Sequence, residues 1–360
     1  MRGNERKIYI KLTDYCNFHC AHCYHNFRLD IGDPDSNKNK FNLDTSKALE
    51  FVKRYTDYYG YYVYIISFHG GEPFLSKKHI EAMREFMDNF IEWNKSTHKI
   101  KHEVYFDATS NLAPSDYRLF DEEILPTILK YFRFNDKPFI KTSWDPIPVR
   151  FNVYGDYVDW LKNIRKCKDA GVYVKVNICL TKPLLEMGIK KLIETINTFK
   201  VDEIHFEPLT ETTTPDHSLI PTWKEVDEFL TKLYESRSLI HEGTKIETFT
   251  EYELAINGAF YGCRERKCSA TVVTIEANGD IYTCPNSFQK ICTYEDDIDT
   301  FRKNIMIPCS AEKIRFDKCY VCEYYKNCNG GCWQLSLDSN NDCPFYKNLF
   351  EAIKKDHETE

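Results

Sequence analysis

No apolar run in this 360-residue chain approaches the roughly 18 residues that a membrane-spanning helix needs, so no membrane partner is expected. The opening residues, Met1-Arg2-Gly3-Asn4-Glu5-Arg6-Lys7, are charged and lead into no apolar stretch, so no secretory signal is expected either. A cytoplasmic location follows. Basic charge is also in deficit. Lys and Arg number 48 against 55 Asp and Glu, and the net charge of −7 offers no general surface to phosphate backbones, so nucleic acid is not an expected partner. There is no tandem repeat outside a strand–helix alternation, and no low-complexity tract. With 42% hydrophobic and 15% aromatic residues the chain is too apolar to stay disordered, and its length suits roughly two domains of about 150 residues.

Cysteine, by contrast, is abundant. There are fifteen: three near the N-terminus, Cys167 and Cys179 in the middle, and ten after residue 262. In a reducing compartment, closely spaced cysteines bind metal more often than they pair as disulfides. The distribution predicts one cluster loop at the front and a cysteine-rich module at the back.

Residues 7–12 alternate as a half-buried strand does, and further strands are expected at 62–68, 103–108, 138–143, 172–180 and 202–207. Helices are expected at 43–58, from a cap at Ser76 through Ile91, and at 119–133, 156–170 and 183–199, with Asp156 as an N-cap and Gly171 just past a helix end. Six strand–helix units in series imply a parallel sheet with right-handed crossovers, either an open three-quarter barrel or a doubly wound sheet. Residues 210–221, rich in Thr and Pro, read as a linker before a helix at 222–239. Beyond about 259 the texture turns to short turns, cysteines and one hairpin.

Cys16, Cys20 and Cys23 stand as C-x3-C-x2-C directly after the first strand, where parallel α/β folds place their chemistry. Thiolates are the usual ligands of a [4Fe–4S] cluster. Three thiolates leave one of its four irons open, able to chelate the amino and carboxylate groups of a small molecule. A zinc site is the alternative, with His19, His22 or His25 as a fourth ligand.

This loop resembles that of the radical S-adenosylmethionine superfamily. His22 occupies the aromatic position before the third cysteine, and by resemblance its backbone would meet the adenine. His69-Gly70-Gly71-Glu72-Pro73 after the second strand resembles the family's GGE motif, with Glu72 able to accept from an ammonium group. Thr109-Ser110-Asn111 is similar to its Thr-Asn-Gly segment, although no glycine follows Asn111. Ser143 and Asp145 resemble the polar pair near the ribose, and Arg150 is a candidate for the methionyl carboxylate.

At the other end, Cys268-x10-Gly279-x4-Cys284 is followed by Cys319-x2-Cys322-x5-Cys328-x3-Cys332 and then Cys343. The spacing resembles the SPASM extension of peptide-modifying radical enzymes. Two four-cysteine zinc sites are the alternative. The resemblance implies one auxiliary cluster on Cys263, Cys268, Cys284 and Cys332 and a second on Cys319, Cys322, Cys328 and Cys343. With S-adenosylmethionine and the N-terminal cluster, that makes three [4Fe–4S] clusters. If Cys263 is only a buried thiol, one auxiliary cluster keeps an open corner. Asn278-Gly279-Asp280 is a hairpin turn signal joining 272–276 to 281–284. Cys167 and Cys179 read as core residues, while Cys292 and Cys309 fall in loops with no assigned role.

The implied architecture is a partial (β/α)6 barrel over 1–210, a linker with a helix over 211–258, and a small cysteine-rich iron–sulfur domain with a C-terminal helix over 259–360. The implied activity is hydrogen abstraction from a residue of a ribosomally made peptide, giving a carbon–carbon or thioether crosslink or another oxidised product. The expected partners are a precursor peptide or protein and an electron donor such as flavodoxin or ferredoxin. Only about six residues precede the first strand, so no leader-binding domain is expected there. Formylglycine formation on sulfatases is the second reading. Maturases of that branch carry an acidic residue directly after the cysteine that Cys284 resembles, whereas Pro285 and Asn286 follow it here. A non-catalytic iron–sulfur or zinc scaffold is a third. No residue is singled out as the base: Asp107, Glu207 and Asp280 lie at element ends and read as structural.

Overall fold

The computed structural model describes residues 5–23, 40–60, 62–97, 102–147, 149–151, 153–211, 214–260, 267–287, 289–311, 313, 316–332, 335, 337–338 and 340–359. Six parallel strands form in sequence order: β1 (Glu5–Lys11), β2 (Val63–His69), β3 (Glu103–Ser110), then β5 (Lys137–Ser143), β6 (Tyr173–Leu180) and β7 (Glu203–Pro208). A two-residue strand, β4 (Arg133–Phe134), runs antiparallel to β5. All six expected strands are present, displaced by one or two residues at their ends. A doubly wound sheet reverses its strand order at a switch point. Among the six, spatial order follows chain order throughout, so the sheet curls one way into an open barrel.

The two faces of the barrel differ. Ile8, Ile10, Ile66, Phe68, Val174, Val176 and Ile178 are fully buried in the hydrophobic core that covers the outer face. Because side chains alternate, Lys7, Tyr9, Ser67, Asp107, Lys141, Lys175, Asn177 and His205 point to the inner face, where ion pairs such as Lys141–Asp107 (2.8 Å) form. A polar lumen in an apolar jacket suits a site, not a packed centre.

Helix α1 (Thr45–Tyr59) starts where Asp44 accepts from the Ser46 and Lys47 amides, both at 3.1 Å. Helix α2 (Lys77–Thr97) follows Ser76 as expected. The expected helix over 119–133 carries a wide turn at Phe120–Ile124 before α3 (Leu125–Tyr131). In α4 (Tyr154–Asp169), Asp156 is not the cap. It lies inside the first turn, and its carboxylate reaches back to accept from the Val153 amide at 3.2 Å. The helix expected over 183–199 is broken by Gly188 into Lys182–Met187 and α5 (Ile189–Phe199). Within the expected linker, Thr210 and Thr214 are buried. Helix α6 (Trp223–Glu235) then begins at a reciprocal cap between Thr222 and Glu225. Helix α7 (Glu247–Ile256) and the short strand β8 (Lys245–Ile246), parallel to β7, have no counterpart in the sequence reading.

The C-terminal residues continue the barrel's own sheet. The expected hairpin forms from β9 (Val272–Ile275) and β10 (Asp280–Tyr282), joined by β11 (Lys290–Thr293), and β9 pairs in parallel with β1 from Lys7↔Val272 to Ile10↔Ile275. Two buried cations fasten this seam. Lys11 pairs with Glu276 at 2.6 Å. Arg6 lies 3.4 Å from the Tyr59 ring centre and donates to the Ala270 carbonyl at 2.5 Å. The last helix, α8 (Lys347–Thr359), is capped by Asp227 of α6, which accepts from Asn348 and Leu349 at 3.0 Å each.

Arg6→Ala removes a desolvated cation–π contact and a charge-assisted hydrogen bond, each worth about 2 kcal/mol. The expected result is a loss of ~3–4 kcal/mol, read as a lower thermal midpoint. Faster proteolytic release of the segment after residue 267, with the barrel fragment surviving, locates the loss at the seam.

Candidate active site and metal centres

The cysteine loop leaves β1 and is gripped by backbone contacts on both sides. Glu72 N–H donates to Tyr15 O at 2.8 Å, and Ala21 N–H donates to Val149 O at 2.8 Å. Cys16, Cys20 and Cys23 are all partly buried. The Cys16 thiol accepts from the Phe18 amide at 3.3 Å, and Cys20 Sγ lies 3.7 Å from the Arg150 carbonyl. Burial pushes the Cys16 thiol up to about 11, with Glu72 adding to the effect. Burial pushes Cys20 up to about 12, against the pull of Arg150. Thiols of this kind become ligands when a metal supplies the missing positive charge. Three of them in one loop, gathered at the mouth of a polar lumen, fit an iron–sulfur cluster.

The GGE segment lies beside this loop. At Gly71, φ is +42°, and a Cβ would sit 2.2 Å from Tyr15 O and 2.7 Å from Thr13 O. Glycine is what allows the two loops to touch. The Glu72 carboxylate is buried, and it already accepts from Ser110 Oγ (2.7 Å), the Phe74 amide (3.0 Å) and the Asn111 amide (2.7 Å). It therefore positions the end of β3, with capacity left mainly on the oxygen facing Asn111. Asn111 Nδ2 donates to Asn17 Oδ1 at 2.7 Å, tying that strand end to the cysteine loop. Leu112 stands where the family has glycine and adopts the left-handed backbone itself, at φ +51°, with its side chain fully buried.

At the end of β5, Ser143 is on the inner face opposite Asn177 of β6. Asp145 is fully buried; its Oδ1 accepts from the Cys179 amide at 2.8 Å, and its Oδ2 lies 3.4 Å from His22 Nε2. Burial pushes Asp145 up to about 7 and His22 down to about 3. Neutral imidazole makes this a polar contact, not an ion pair. The structure thus brings His22, Ser143, Asp145 and Arg150 to the same mouth as the three cysteines.

Cys179 requires a correction. It is not a core residue: the alternation that buries Ile178 and Leu180 turns Cys179 to the inner face, its thiol within 4.8 Å of ligand atoms of both His22 and Asp145. Cys167 is fully buried as expected. Cys292 lies in β11 and Cys309 in the short helix Met306–Ala311, so neither is in a loop. Asp107 sits in the lumen with Lys141, Glu207 is half-exposed at the end of β7, and Asp280 pairs with Lys290.

In the C-terminal module, Cys319, Cys322, Cys328 and Cys343 line one cavity of about 600 Å³ with Gly330 and Gly331. These are the four cysteines that the resemblance assigns to one auxiliary cluster. Of the other set, Cys268 opens a short helix at Cys268–Thr271, Cys284 follows β10 and Cys332 follows Gly331, while Cys263 lies outside the described residues. Among the described residues all fourteen cysteines are thiols, and none is paired in a disulfide. No described helix is long and apolar enough to cross a membrane.

No curated protein matches the sequence. Among solved structures, native anSMEcpe with bound AdoMet superposes with a TM-score of 0.74 at 16% identity, covering 98% of each chain. Native anSMEcpe with bound AdoMet and the Cp18Cys peptide gives 0.72 at 16% identity, covering 99% of this chain and all of that one. The common fold therefore extends through the cysteine-rich module. In sequence, residues 10–196, just over half the chain and including the cysteine loop, match the Radical SAM superfamily. The chain belongs to the Radical SAM superfamily, whose members join a [4Fe–4S] cluster to S-adenosylmethionine.

Proposed function

We propose that this chain is a peptide maturase: a radical oxidoreductase that removes a hydrogen from a residue of a ribosomally made peptide and releases a crosslinked or otherwise oxidised product. The observation that supports a peptide substrate is the whole-chain likeness to anSMEcpe, barrel and module together, in a structure with bound AdoMet and a bound peptide. Cys16, Cys20 and Cys23 would hold the first cluster, which with S-adenosylmethionine supplies the hydrogen-abstracting radical. Glu72 fixes the β3 end against the cysteine loop, so that Asn111, Ser143, Asp145 and the His22 main chain present donors and acceptors to the cofactor at the lumen mouth. The inner face below them, lined by buried Ser67 and Asp107 and half-buried Tyr9 and Lys141, would take the reacting residue away from bulk water. Cys263, Cys268, Cys284 and Cys332, and Cys319, Cys322, Cys328 and Cys343, would hold two fully ligated clusters suited to electron transfer, with a flavodoxin or ferredoxin as the protein's electron donor. Pro285 directly after Cys284 speaks against formylglycine formation, because maturases of that branch carry an acidic residue there.

The test is anaerobic reconstitution with iron, sulfide, dithionite and S-adenosylmethionine, followed by incubation with the peptides encoded beside the gene. The expected products are 5′-deoxyadenosine and a peptide lighter by two hydrogens, with the new bond located by fragmentation. Formylglycine in a sulfatase peptide would replace this reading with the maturase of that branch. Absence of 5′-deoxyadenosine would leave only a scaffold.

A further inference from the structure

Arg150 is half-buried at the barrel mouth, and its Nε is shielded from solvent and makes no hydrogen bond. The main chain around it clamps the cysteine loop: Val149 O accepts from Ala21 at 2.8 Å, and Arg150 O is 3.7 Å from the Cys20 thiol. Its guanidinium carbon is 5.8 Å from the centre of the Phe18 ring, inside the same loop. The side chain and the main chain of Arg150 therefore both lie against the loop that carries Cys16, Cys20 and Cys23. On the other side of the loop, the carboxylate of Glu72 is already committed to Ser110, Phe74 and Asn111.

We propose that Arg150 is the fixed counter-charge of the cluster held by Cys16, Cys20 and Cys23, a positioning residue that makes this cluster easier to reduce. The inference rests on the reading that these cysteines hold a cluster. It differs from the carboxylate-anchor role that family resemblance implies. Reduction adds one electron to a group already surrounded by three thiolates, Glu72 and Asp145. A cation whose guanidinium lies against the loop that carries those thiolates favours the more negative state, and a low local dielectric strengthens the effect. An anchor for the cofactor acts only once the cofactor is bound, whereas a counter-charge acts without it.

The experiment is an EPR-monitored redox titration of the reconstituted full chain, with dithionite as the electron source and no S-adenosylmethionine present. In Arg150→Gln the reduced fraction of the N-terminal cluster at a fixed potential is expected to fall about tenfold, a shift of ~59 mV for one electron. Arg150→Lys keeps most of the wild-type value, and the auxiliary signals do not move. Cofactor affinity, read from the EPR change on adding S-adenosylmethionine, is expected to weaken less than threefold. An unchanged potential with affinity weakened tenfold or more would make Arg150 the carboxylate anchor and overturn the proposal. Loss of cluster iron from both variants would make it a mere support of the loop, which also overturns it. If the unsubstituted chain itself shows no [4Fe–4S] signal, the proposed function fails, and this inference with it.

Discussion

Replacing Cys16, Cys20 and Cys23 together with alanine abolishes 5′-deoxyadenosine formation down to the uncatalysed background and leaves the fold standing. The loop that carries them is placed by main-chain contacts, Glu72 to Tyr15 and Ala21 to Val149, which alanine does not disturb. Each thiol is only partly buried, so its removal costs about 1 kcal/mol of apolar contact. Iron content is expected to fall by about four atoms, one cubane, while the module keeps its own. The cavity lined by Cys319, Cys322, Cys328 and Cys343 shares no ligand with the N-terminal loop. Cys167→Ala is the control: this thiol is fully buried in α4, so the variant loses ~1 kcal/mol of stability and no iron. Product formation that persists in the triple variant would move the radical chemistry to another metal centre.

What could be read from the sequence, and what could not, divides by range. The strands were legible because each carries its own signal: Ile8 and Ile10 alternate with Lys7 and Tyr9, and the structure buries the first pair completely. The same signal places Cys179, since Val176, Ile178 and Leu180 commit one face of β6 and leave the other to Lys175, Asn177 and Cys179. A core position for Cys179 is inconsistent with that period. The break at Gly188 also had a local cue, an isolated glycine inside a helical pattern. Asp156 misled because an acidic residue at a helix start fits the cap and the first turn equally well. The pairing of β9 with β1 had no local cue, because it joins residues about 265 apart in the chain. Leu112 had none either: its left-handed backbone is imposed by Ser110 Oγ, which accepts its amide at 3.0 Å, and by Asn163, which donates to its carbonyl at 2.8 Å. Of the candidate site, the cysteines stand out in the sequence by their spacing. The contact of Arg150 with the cysteine loop and the prior commitment of Glu72 do not, since both depend on which loops meet at the barrel mouth.

Gly71→Ala has the second-largest expected effect: a cost of about 3–5 kcal/mol, with loss of iron from the N-terminal loop alone. The backbone at +42° already disfavours any side chain by ~1–2 kcal/mol. The added Cβ would also lie 2.2 Å from Tyr15 O, a main-chain atom that cannot swing aside as a flexible side chain would. To relieve the contact, the loops must part and break the hydrogen bond from Glu72 N–H to Tyr15 O, which costs a further ~1–3 kcal/mol. At roughly 2–4 °C per kcal/mol, the thermal midpoint falls by about 10 °C. Gly171→Ala separates the two contributions. Its φ is +77°, but nothing lies within 4 Å of the new Cβ, so only the conformational cost of ~1 kcal/mol applies and iron is unaffected. Because Tyr15 directly precedes Cys16, the displacement in the Gly71 variant falls on the cluster ligands themselves. A Gly71→Ala protein with full iron and an undiminished rate of 5′-deoxyadenosine formation would mean that the loop is held in place from the side of residues 149–151, and that the contact with the GGE turn is incidental.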